Sequence, residues 1–441
     1  MRQTAHLLDD AQMQEFIRNG YISFKTDLPP HFHDQVRQRL DAVFEKEGNP
    51  GNNLLPLVPA IQRVFDDPRI YGALQSILGP NYYLHPHRHC HLNTPNSQGQ
   101  NMHKDSWSKR HHRTRWGMAF YYPQDTPVEL GPTGVVPGSH YHNGDPAMDL
   151  PGEVPLTGEA GTVVLVHYDL WHRAMPNSTE RSRYMIKFLF TRLEEPSGPS
   201  WDGGGDWPAS DDPRQAMWQS MWDWHRGQRG PALNGGHIDD LHSENEGLAL
   251  QAAYRLDAKA IPALIDLLAV EDAAMRRNAG YAPTALGEAA VPALIAACAD
   301  TPKRPQVADA LGDIGTSARA AIPVLTDLLT DASEEVRRNA IDALGTIATD
   351  DPALAANLAP GLADADEWVS RNTALALLRL GSRAESATDD LVAALDSDNR
   401  YVSAKATQTL KRIESPAARD ALLDHLLTAR WCPTTSAAST F

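Results

Sequence analysis

The sequence has little cysteine, no long apolar run and no excess of positive charge. Only three of its 441 residues are cysteines, Cys90, Cys298 and Cys432, and they lie far apart. So few cysteines exclude a disulfide scaffold and a cysteine-based zinc site, and they favour a reducing, cytoplasmic compartment. No apolar run approaches the roughly 18 residues of a transmembrane helix. The first residues also lack the apolar segment of a secretory signal.

The two halves of the chain differ in charge and in histidine content. The net charge is −16, and residues 1–230 carry 22 Lys and Arg against 26 Asp and Glu, whereas residues 231–441 carry 18 against 30. Because phosphate backbones bind basic surfaces, the acidic second half argues against a nucleic-acid partner. Histidine is distributed the other way, with 15 of the 18 before residue 226. We therefore expect two regions with different chemistry.

The second half contains an internal repeat with a period of 33 residues. Segments 328–344, 361–377 and 394–410 align, and their apolar anchors are seven and eight residues apart, which places them on one helix face. The anchors are Leu329, Val336 and Leu344, then Leu362, Val369 and Leu377, then Leu395, Val402 and Leu410. We predict about five helical pairs over residues 258–430, enough for a stable array, followed by a tail over 431–441.

This repeat resembles the short HEAT-like repeats. Such solenoids stack helix pairs into extended curved surfaces that bind other molecules. The resemblance implies a protein partner or self-association through the repeats. A purely structural support is the alternative.

The first half has mixed elements that are mostly β. Short runs rich in β-branched and aromatic residues, bounded by Gly, Pro and Asn, predict the strands of a sandwich or jelly roll. An initial strand, YISF, lies among the predicted helices 8–20, 35–47 and 68–78.

Residues 196–257 have the composition of a linker that contains a tryptophan-rich helix, predicted over 213–228. Trp218 and Trp222 are four residues apart and share one face of that helix. We expect this face to join the β-rich domain to the repeats.

A pattern of histidine and carboxylate is the strongest chemical signal. His103 and Asp105 form an H-x-D pair after a predicted strand, and in extended backbone residues i and i+2 point the same way. Much later the strand GTVVLVHYDLWH leads to His172. Two imidazoles and one carboxylate are the protein ligands of non-haem iron(II) oxygenases, and they leave open positions on the metal for a chelating co-substrate and O₂.

Arg183 lies eleven residues beyond His172. Its guanidinium can hold a carboxylate with two parallel hydrogen bonds. A 2-oxo diacid such as 2-oxoglutarate binds iron through one carboxylate and the keto oxygen, so its second carboxylate needs a cation nearby. His, Asp, His and Arg in this order are therefore stronger evidence than an H-x-D pair alone. Arg181, two residues away, is the rival anchor.

These motifs resemble the phytanoyl-CoA dioxygenase family. The matching segments are LLDDAQMQEFIRNGYISF, FDDPRIYGALQSILGPNYYLH, MHKD, ELGPTGVVPGSH and HYDLWHRAMPNSTERSR, in the family's order over roughly residues 7–192. The resemblance implies a double-stranded β-helix, the cupin-like jelly roll, over residues 1–195. It also implies iron ligation by His103, Asp105 and His172, and co-substrate binding by Arg183, Tyr121 and His167.

Two further groups are candidates for substrate contacts. His85, His87, His89 and His91 alternate along one predicted strand, which Pro86 marks as an edge strand, and we expect them to line the pocket. A basic run between Lys104 and Arg115 either guides an anionic substrate to the metal or forms a solvated loop. The candidate contacts are His87, His89, Lys104 and Arg113.

The sequence therefore predicts an α+β multidomain protein, in which a jelly-roll oxygenase precedes an α-helical HEAT-like solenoid. We expect an Fe(II)- and 2-oxoglutarate-dependent dioxygenase that uses O₂ to hydroxylate a small polar or anionic metabolite. Desaturation or ring formation would use the same site. The alternatives are the same chemistry on a substrate held by a protein docked on the repeats, or a non-catalytic scaffold. We further expect a protein ending near residue 230 to keep the metal site.

Overall fold

The computed structural model describes residues 6–106, 112–144, 152–228 and 235–428. The chain divides into two compact units, Met1–Ala318 and Arg319–Phe441. The first unit therefore contains the β-rich domain together with the first helices of the repeat region. Among the described residues, no helix combines the length and the apolar character needed to span a bilayer. The predicted tail, 431–441, and three members of the basic run, Lys109, Arg110 and His111, lie outside the described residues.

Two facing sheets form the jelly roll. The five-stranded sheet has the order β1-β6-β3-β8-β2 and the three-stranded sheet the order β5-β4-β7. All the pairings within these sheets are antiparallel. The strands are β1 (Tyr21–Lys25), β2 (Tyr83–Asn93), β3 (Trp116–Tyr122), β4 (Thr133–Val135), β5 (Val154–Pro155), β6 (Thr162–His167), β7 (His172–Ala174) and β8 (Arg183–Thr191).

Alternation along the strands gives each face of the larger sheet its own partner. The inner face meets the smaller sheet through an apolar cluster of Met118, Phe120, Tyr122, Val135, Leu156, Val164, Val166, Leu170, Met185 and Leu189. The outer face packs on helices: Phe65 contacts Phe188 and Phe190 of β8, with ring centroids 4.4 and 5.6 Å apart. Both faces are therefore buried, which explains the nearly continuous apolar runs of β6 and β8.

Five helices precede or flank the first strands, and three of them cover the ranges predicted from the sequence. Asp9 begins the first helix with a capping box, in which its side chain accepts from the Gln12 amide, and Gly20 ends it in the left-handed conformation. The helices are α1 (Asp10–Asn19), α2 (Pro30–Glu47), α3 (Leu54–Leu57), α4 (Gln62–Phe65) and α5 (Pro68–Leu78).

The tryptophan-rich helix forms as predicted, as α6 (Gln215–His225), but its tryptophan face packs elsewhere. Trp222 is fully buried against Trp201 and Trp207, with ring centroids 5.0 and 5.6 Å away. Trp218 contacts Trp207 as well. The expectation that this face joins the two domains is therefore wrong, because the preceding linker folds over it. Apolar spacing shows that a face is buried without showing what buries it.

The helices that follow α6 begin at α7, before residue 258, where the sequence predicts the first repeat. Those in the first unit are α7 (Glu246–Ala253), α8 (Ile261–Leu267), α9 (Ala273–Ala279), α10 (Ala282–Leu286), α11 (Val291–Ala297) and α12 (Arg304–Ile314). Those in the second unit are α13 (Ile322–Asp327), α14 (Glu334–Ile347), α15 (Leu354–Leu358), α16 (Glu367–Leu380), α17 (Thr388–Ala393), α18 (Arg400–Ile413) and α19 (Pro416–Thr428).

The predicted period is visible in the burial of the second unit. The second anchors, Val336, Val369 and Val402, are at most 2 % exposed, and the third anchors, Leu344, Leu377 and Leu410, are fully buried. The first anchors fit less well: Leu395 is buried, but Leu329 and Leu362 are only partly buried. The apolar anchors on the second helix of each pair therefore share one buried face. The first anchor departs from that face where a 3₁₀ turn ends the first helix.

Candidate metal centre

The three predicted ligands come together at one edge of the smaller sheet. His172 is the first residue of β7, and its backbone exchanges two hydrogen bonds with His103, at 2.9 and 3.0 Å. This bridge extends the sheet by one residue and brings the two imidazole rings to a centroid distance of 4.6 Å. Asp105, two residues further along the extended backbone, turns its carboxylate toward the same point. One ligand atom from each residue lies within 4.8 Å of the others.

Backbone carbonyls fix the tautomers of both histidines. The Nδ1 atoms of His103 and His172 lie 2.9 Å from the carbonyl oxygens of Asn101 and Leu170. Because a carbonyl only accepts, each Nδ1 carries a proton, which leaves the Nε2 of each ring as the atom that can bind a metal. This is the usual way in which proteins orient imidazole ligands toward a metal. The two Nε2 atoms face Asp105, at 4.0 Å from Oδ1 and 3.5 Å from Oδ2.

The Asp105 carboxylate is ionised in this setting. Burial raises its pKa, but contacts with His172 and with the Lys187 ammonium outweigh burial and hold the pKa well below the ordinary value. Lys187 Nζ lies 2.6 Å from Asp105 Oδ2. The site therefore presents two imidazole nitrogens and one anionic oxygen, which is the donor set that suits Fe(II).

Arg183 lies at the inner end of a cavity of about 150 Å³ that also reaches His103 and His172. The Arg183 side chain is fully buried, and its Nε and Nη2 donate to the Gly131 carbonyl at 2.9 and 2.7 Å. Its Nη1 is buried without a hydrogen-bond partner among the described residues. Such a buried donor is strongly unfavourable unless a ligand satisfies it, and a carboxylate of 2-oxoglutarate is of the right chemistry. Arg181 is exposed and precedes the strand.

Tyr121 points away from the metal centre. It lies on the outer face of β3, where its hydroxyl is 2.8 Å from His33 Nδ1 in α2. Its neighbours have the opposite orientation: the Phe120 ring is 5.6 Å from His172, and Tyr122 belongs to the inner cluster. The placement of Tyr121 against the co-substrate is therefore wrong by one residue, since a shift of one position changes the face of a strand. Tyr122 is the better candidate.

His167 also lies away from the cavity. It is the last residue of β6, its Nδ1 accepts from the Asp169 amide at 3.2 Å, and its ring is 4.9 Å from that of His140. It thus packs behind the segment that contains His103 and Asp105, which we call the ligand loop. Ser106, next to Asp105, donates to the Asp169 carboxylate at 2.5 Å. His167 therefore supports the turn that orients the loop and is not placed to contact a co-substrate.

The histidine-rich strand is an edge strand, as Pro86 predicts, because within the described ranges of the chain β2 pairs with β8 alone. A bulge between Leu84 and Arg88 interrupts its alternation, so the four histidines do not share one continuous face. His89 lies opposite Lys187 in the register, and His91 lines the cavity. His89 therefore stays a candidate substrate contact. The bulge contains His87, which is partly buried.

The described part of the basic run packs against helices and does not guide substrate. Arg113 Nη1 donates to the carbonyls of Asp313 and Ile314 at the end of α12, so Arg113 is a structural residue. Lys104 donates to the His142 carbonyl and lies 5.9 Å from the Trp171 ring centroid, away from the cavity. Neither side chain is placed to contact a substrate at the metal. Lys187, which the sequence analysis did not single out, does line the cavity at the metal site.

Comparison with known families identifies both parts of the chain. The model of the family "Phytanoyl-CoA dioxygenase (PhyH)" matches residues 16–185, and the model of HEAT repeats matches residues 300–379 and 355–439. The first match contains the whole triad and Arg183. The second confirms the HEAT-like resemblance of the repeats.

Solved structures that match part of the chain include non-haem α-ketoglutarate-dependent enzymes. The α-ketoglutarate-dependent carbocyclase SnoK from nogalamycin biosynthesis is 20 % identical with a TM-score of 0.37, over 44 % of this chain and 88 % of that one. HygX from Streptomyces hygroscopicus, with nickel and 2-oxoglutarate bound, is 16 % identical with a TM-score of 0.36, over 42 % and 88 %. The identification depends on the family match and the triad: residues 16–185 are a phytanoyl-CoA dioxygenase domain, and the protein is an iron(II)- and 2-oxoglutarate-dependent oxygenase that carries HEAT repeats.

Proposed function

We propose that this oxygenase hydroxylates a C–H bond of a small polar or anionic metabolite. The observation that carries the proposal is the cavity at the triad, which is lined mainly by polar side chains and contains the buried cations Arg183 and Lys187. A pocket for an apolar chain would be lined by aliphatic and aromatic residues. Leu92 and Met185 are the large apolar residues among those that line this cavity.

Different residues of the site would bind the metal, bind the co-substrate and exclude water. His103, Asp105 and His172 would hold the metal, and Arg183 would bind the distal carboxylate of 2-oxoglutarate through its unpartnered Nη1. The metal and co-substrate together supply the oxidation of a C–H bond by O₂, with 2-oxoglutarate converted to succinate and carbon dioxide. Phe120 and Tyr122 are fully buried in the apolar cluster between the sheets, and the Phe120 ring lies 5.6 Å from His172, so these rings exclude water beside the metal site.

Succinate formation by the full-length protein tests this function. We expect Fe(II)-dependent succinate formation from 2-oxoglutarate and O₂, and at least a 100-fold loss in Asp105→Ala, because roughly this factor follows when a group essential to assembly of the site is removed. Asp34→Ala removes an exposed carboxylate from α2 and serves as the matched control. Wild-type succinate formation by Asp105→Ala would exclude the triad as the metal site.

The substrate class needs a separate measurement. A metabolite library containing acids and their neutral amides, incubated with ¹⁸O₂, should yield products that carry one labelled oxygen, and mainly from the acids. Labelled products from apolar compounds alone would contradict the proposed substrate class while leaving the oxygenase chemistry intact.

A further inference from the structure

One strand places a second cation inside the metal site. Along β8, Arg183, Met185 and Lys187 share the face that lines the cavity. Lys187 is only 5 % exposed, and its Nζ is 2.6 Å from Asp105 Oδ2. The facing strand β2 places His89 directly opposite Lys187, and His91 two residues further on. The ammonium thus contacts the Asp105 carboxylate, and the register places two histidines on the neighbouring strand beside it.

The two imidazoles do not neutralise this cation. Burial and the nearby ammonium lower the pKa of both histidines, that of His91 to about 2, so both rings are neutral. Among the described residues, Asp105 is the carboxylate that pairs with Lys187. Lys187 therefore depends on the same carboxylate that the metal needs.

Charge balance shows what metal binding changes. Iron(II) brings two positive charges and Arg183 one, and Asp105 with 2-oxoglutarate brings three negative charges, so this set is neutral without Lys187. Once Asp105 binds the metal, Lys187 shares that carboxylate with the metal. A buried cation without adequate pairing is strongly unfavourable, so the loaded site has room for one more negative charge.

The two cations of β8 are held apart by different partners. Arg183 and Lys187 are four residues apart on an extended strand, or about 13 Å between their Cα atoms. Their charged groups are held by different partners, the Gly131 carbonyl and the Asp105 carboxylate. If 2-oxoglutarate binds Arg183 through one carboxylate and the metal through the other, Lys187 stays available to bind a carboxylate of a second molecule.

We propose that Lys187 binds a carboxylate of the organic substrate beside the metal and thereby determines specificity for anionic substrates. This inference rests on the proposed function, since it assumes a metal on the triad and 2-oxoglutarate on Arg183. It adds a named recognition residue and narrows the substrate class to acids. The metal-free protein is expected to bind such an anion weakly, because Asp105 then occupies the ammonium.

Binding of acetate, with acetamide as its neutral counterpart, tests the proposal in the full-length protein. The protein is loaded with Ni(II) and 2-oxoglutarate without O₂, and the dissociation constants of both probes are measured by ligand-observed NMR. We expect acetate to bind wild type and Lys187→Arg, and to bind Lys187→Met about 10- to 100-fold more weakly, the range for a lost hydrogen bond to a charged group. Acetamide should bind all three weakly. Lys25→Met, at an exposed lysine of β1, is the matched control.

The outcomes separate this proposal from the function on which it rests. Nickel and 2-oxoglutarate loading is measured first, by equilibrium dialysis, and failure of wild type to load would contradict the proposed function itself. If wild type loads, then equal acetate binding by wild type and Lys187→Met, or no acetate binding by wild type, overturns the role of Lys187. Stronger acetate binding by the metal-free protein would overturn the exchange of partners.

Discussion

Arg181 and Arg183 are two residues apart, yet the fold gives them opposite environments. Arg181 is exposed in the turn before β8, whereas Arg183 is fully buried and keeps one Nη atom unpartnered. Burial lowers the pKa of Arg183 from its very high ordinary value, but an arginine stays charged in protein interiors. A buried cation with an unpaired donor is the stronger candidate for a carboxylate anchor.

We predict that Arg183→Leu raises the KM for 2-oxoglutarate by about 30- to 1000-fold, because a charge-assisted contact in a desolvated site is lost. Nickel affinity in the absence of 2-oxoglutarate should change little. The matched variant Arg181→Leu should keep KM within about twofold, as expected for an exposed side chain. Both values come from succinate formation at varied 2-oxoglutarate. The reverse result would assign the anchor to Arg181.

Sequence reasoning located the metal ligands because their chemistry and spacing are both restrictive. An H-x-D pair on extended backbone has only one way to direct two side chains at one ion, and His172 follows a strand that must lie in the same sheet. Tyr121 was misplaced because strand parity cannot be read without the register. Lys187 was missed, although its position four residues after Arg183 placed it on the same face of a strand.

At the scale of elements, a polar cluster joins the start of β3 to the first-unit repeats. Arg115 donates to both oxygens of Glu195, at 2.7 and 3.1 Å, and lies 3.6 Å from Asp313 in α12. Trp224 of α6 also donates to Glu195, at 3.1 Å. Burial raises the pKa of Glu195, but Arg115 and Arg113 outweigh it and lower the pKa to about 2.

This cluster predicts a specific acid sensitivity. Since the folded-state pKa of Glu195 lies below the ordinary value of 4.5, its contribution to stability is complete above about pH 4.5 and is lost as the pH falls toward 2. Glu195→Gln should lower the free energy of unfolding at pH 7 by about 3–5 kcal/mol, because it removes a buried carboxylate that offsets the charges of Arg115 and Arg113. The variant's free energy of unfolding should also depend less on pH below about 4.5 than that of wild type.

Urea unfolding followed by tryptophan fluorescence at several pH values measures both effects. Glu194→Gln, the exposed neighbour, provides the control and should stay within about 0.5 kcal/mol of wild type. An unchanged pH dependence in Glu195→Gln would mean that other carboxylates control acid unfolding.

The elements themselves were predictable wherever local signals were complete. Capping residues, a glycine end signal and helical spacing defined α1, α2 and α5, and the 33-residue period defined the second helices of the repeats. The bulge in β2 and the covering of the α6 tryptophans were not predictable, since both depend on neighbours distant in sequence. A linker composition says nothing of whether the segment packs.

At the scale of the whole molecule, the repeats take part in the oxygenase unit. The Tyr254 hydroxyl donates to His112 Nδ1 at 2.6 Å, and the Tyr281 ring stacks on the same imidazole. The Glu246 carboxylate accepts from the backbone amides of Asn143 and Gly144. These contacts hold the segments that flank the ligand loop. They change the expectation that a protein ending near residue 230 keeps the site.

We predict that a protein ending at residue 318, the boundary of the first unit, binds Ni(II) within about threefold of the full chain. A protein ending at residue 230 should lose most of this affinity or fail to fold, because His112 and Arg113 lose buried partners, a large destabilisation. Nickel titration calorimetry and near-ultraviolet circular dichroism compare the two. Full nickel affinity in the shorter protein would show that the repeats are dispensable for the site.

The contact of Arg113 with Asp313 also sets an order of events during synthesis. The two residues are 200 positions apart. At about 5–20 residues per second on the ribosome, the ligand loop and Arg113 emerge roughly 10–40 seconds before α12 exists. Through that interval the nascent oxygenase domain lacks the helix α12 that contacts Arg113 and Arg115. Completion of the metal centre is therefore expected to be a late, co-translational step that waits for the first repeats.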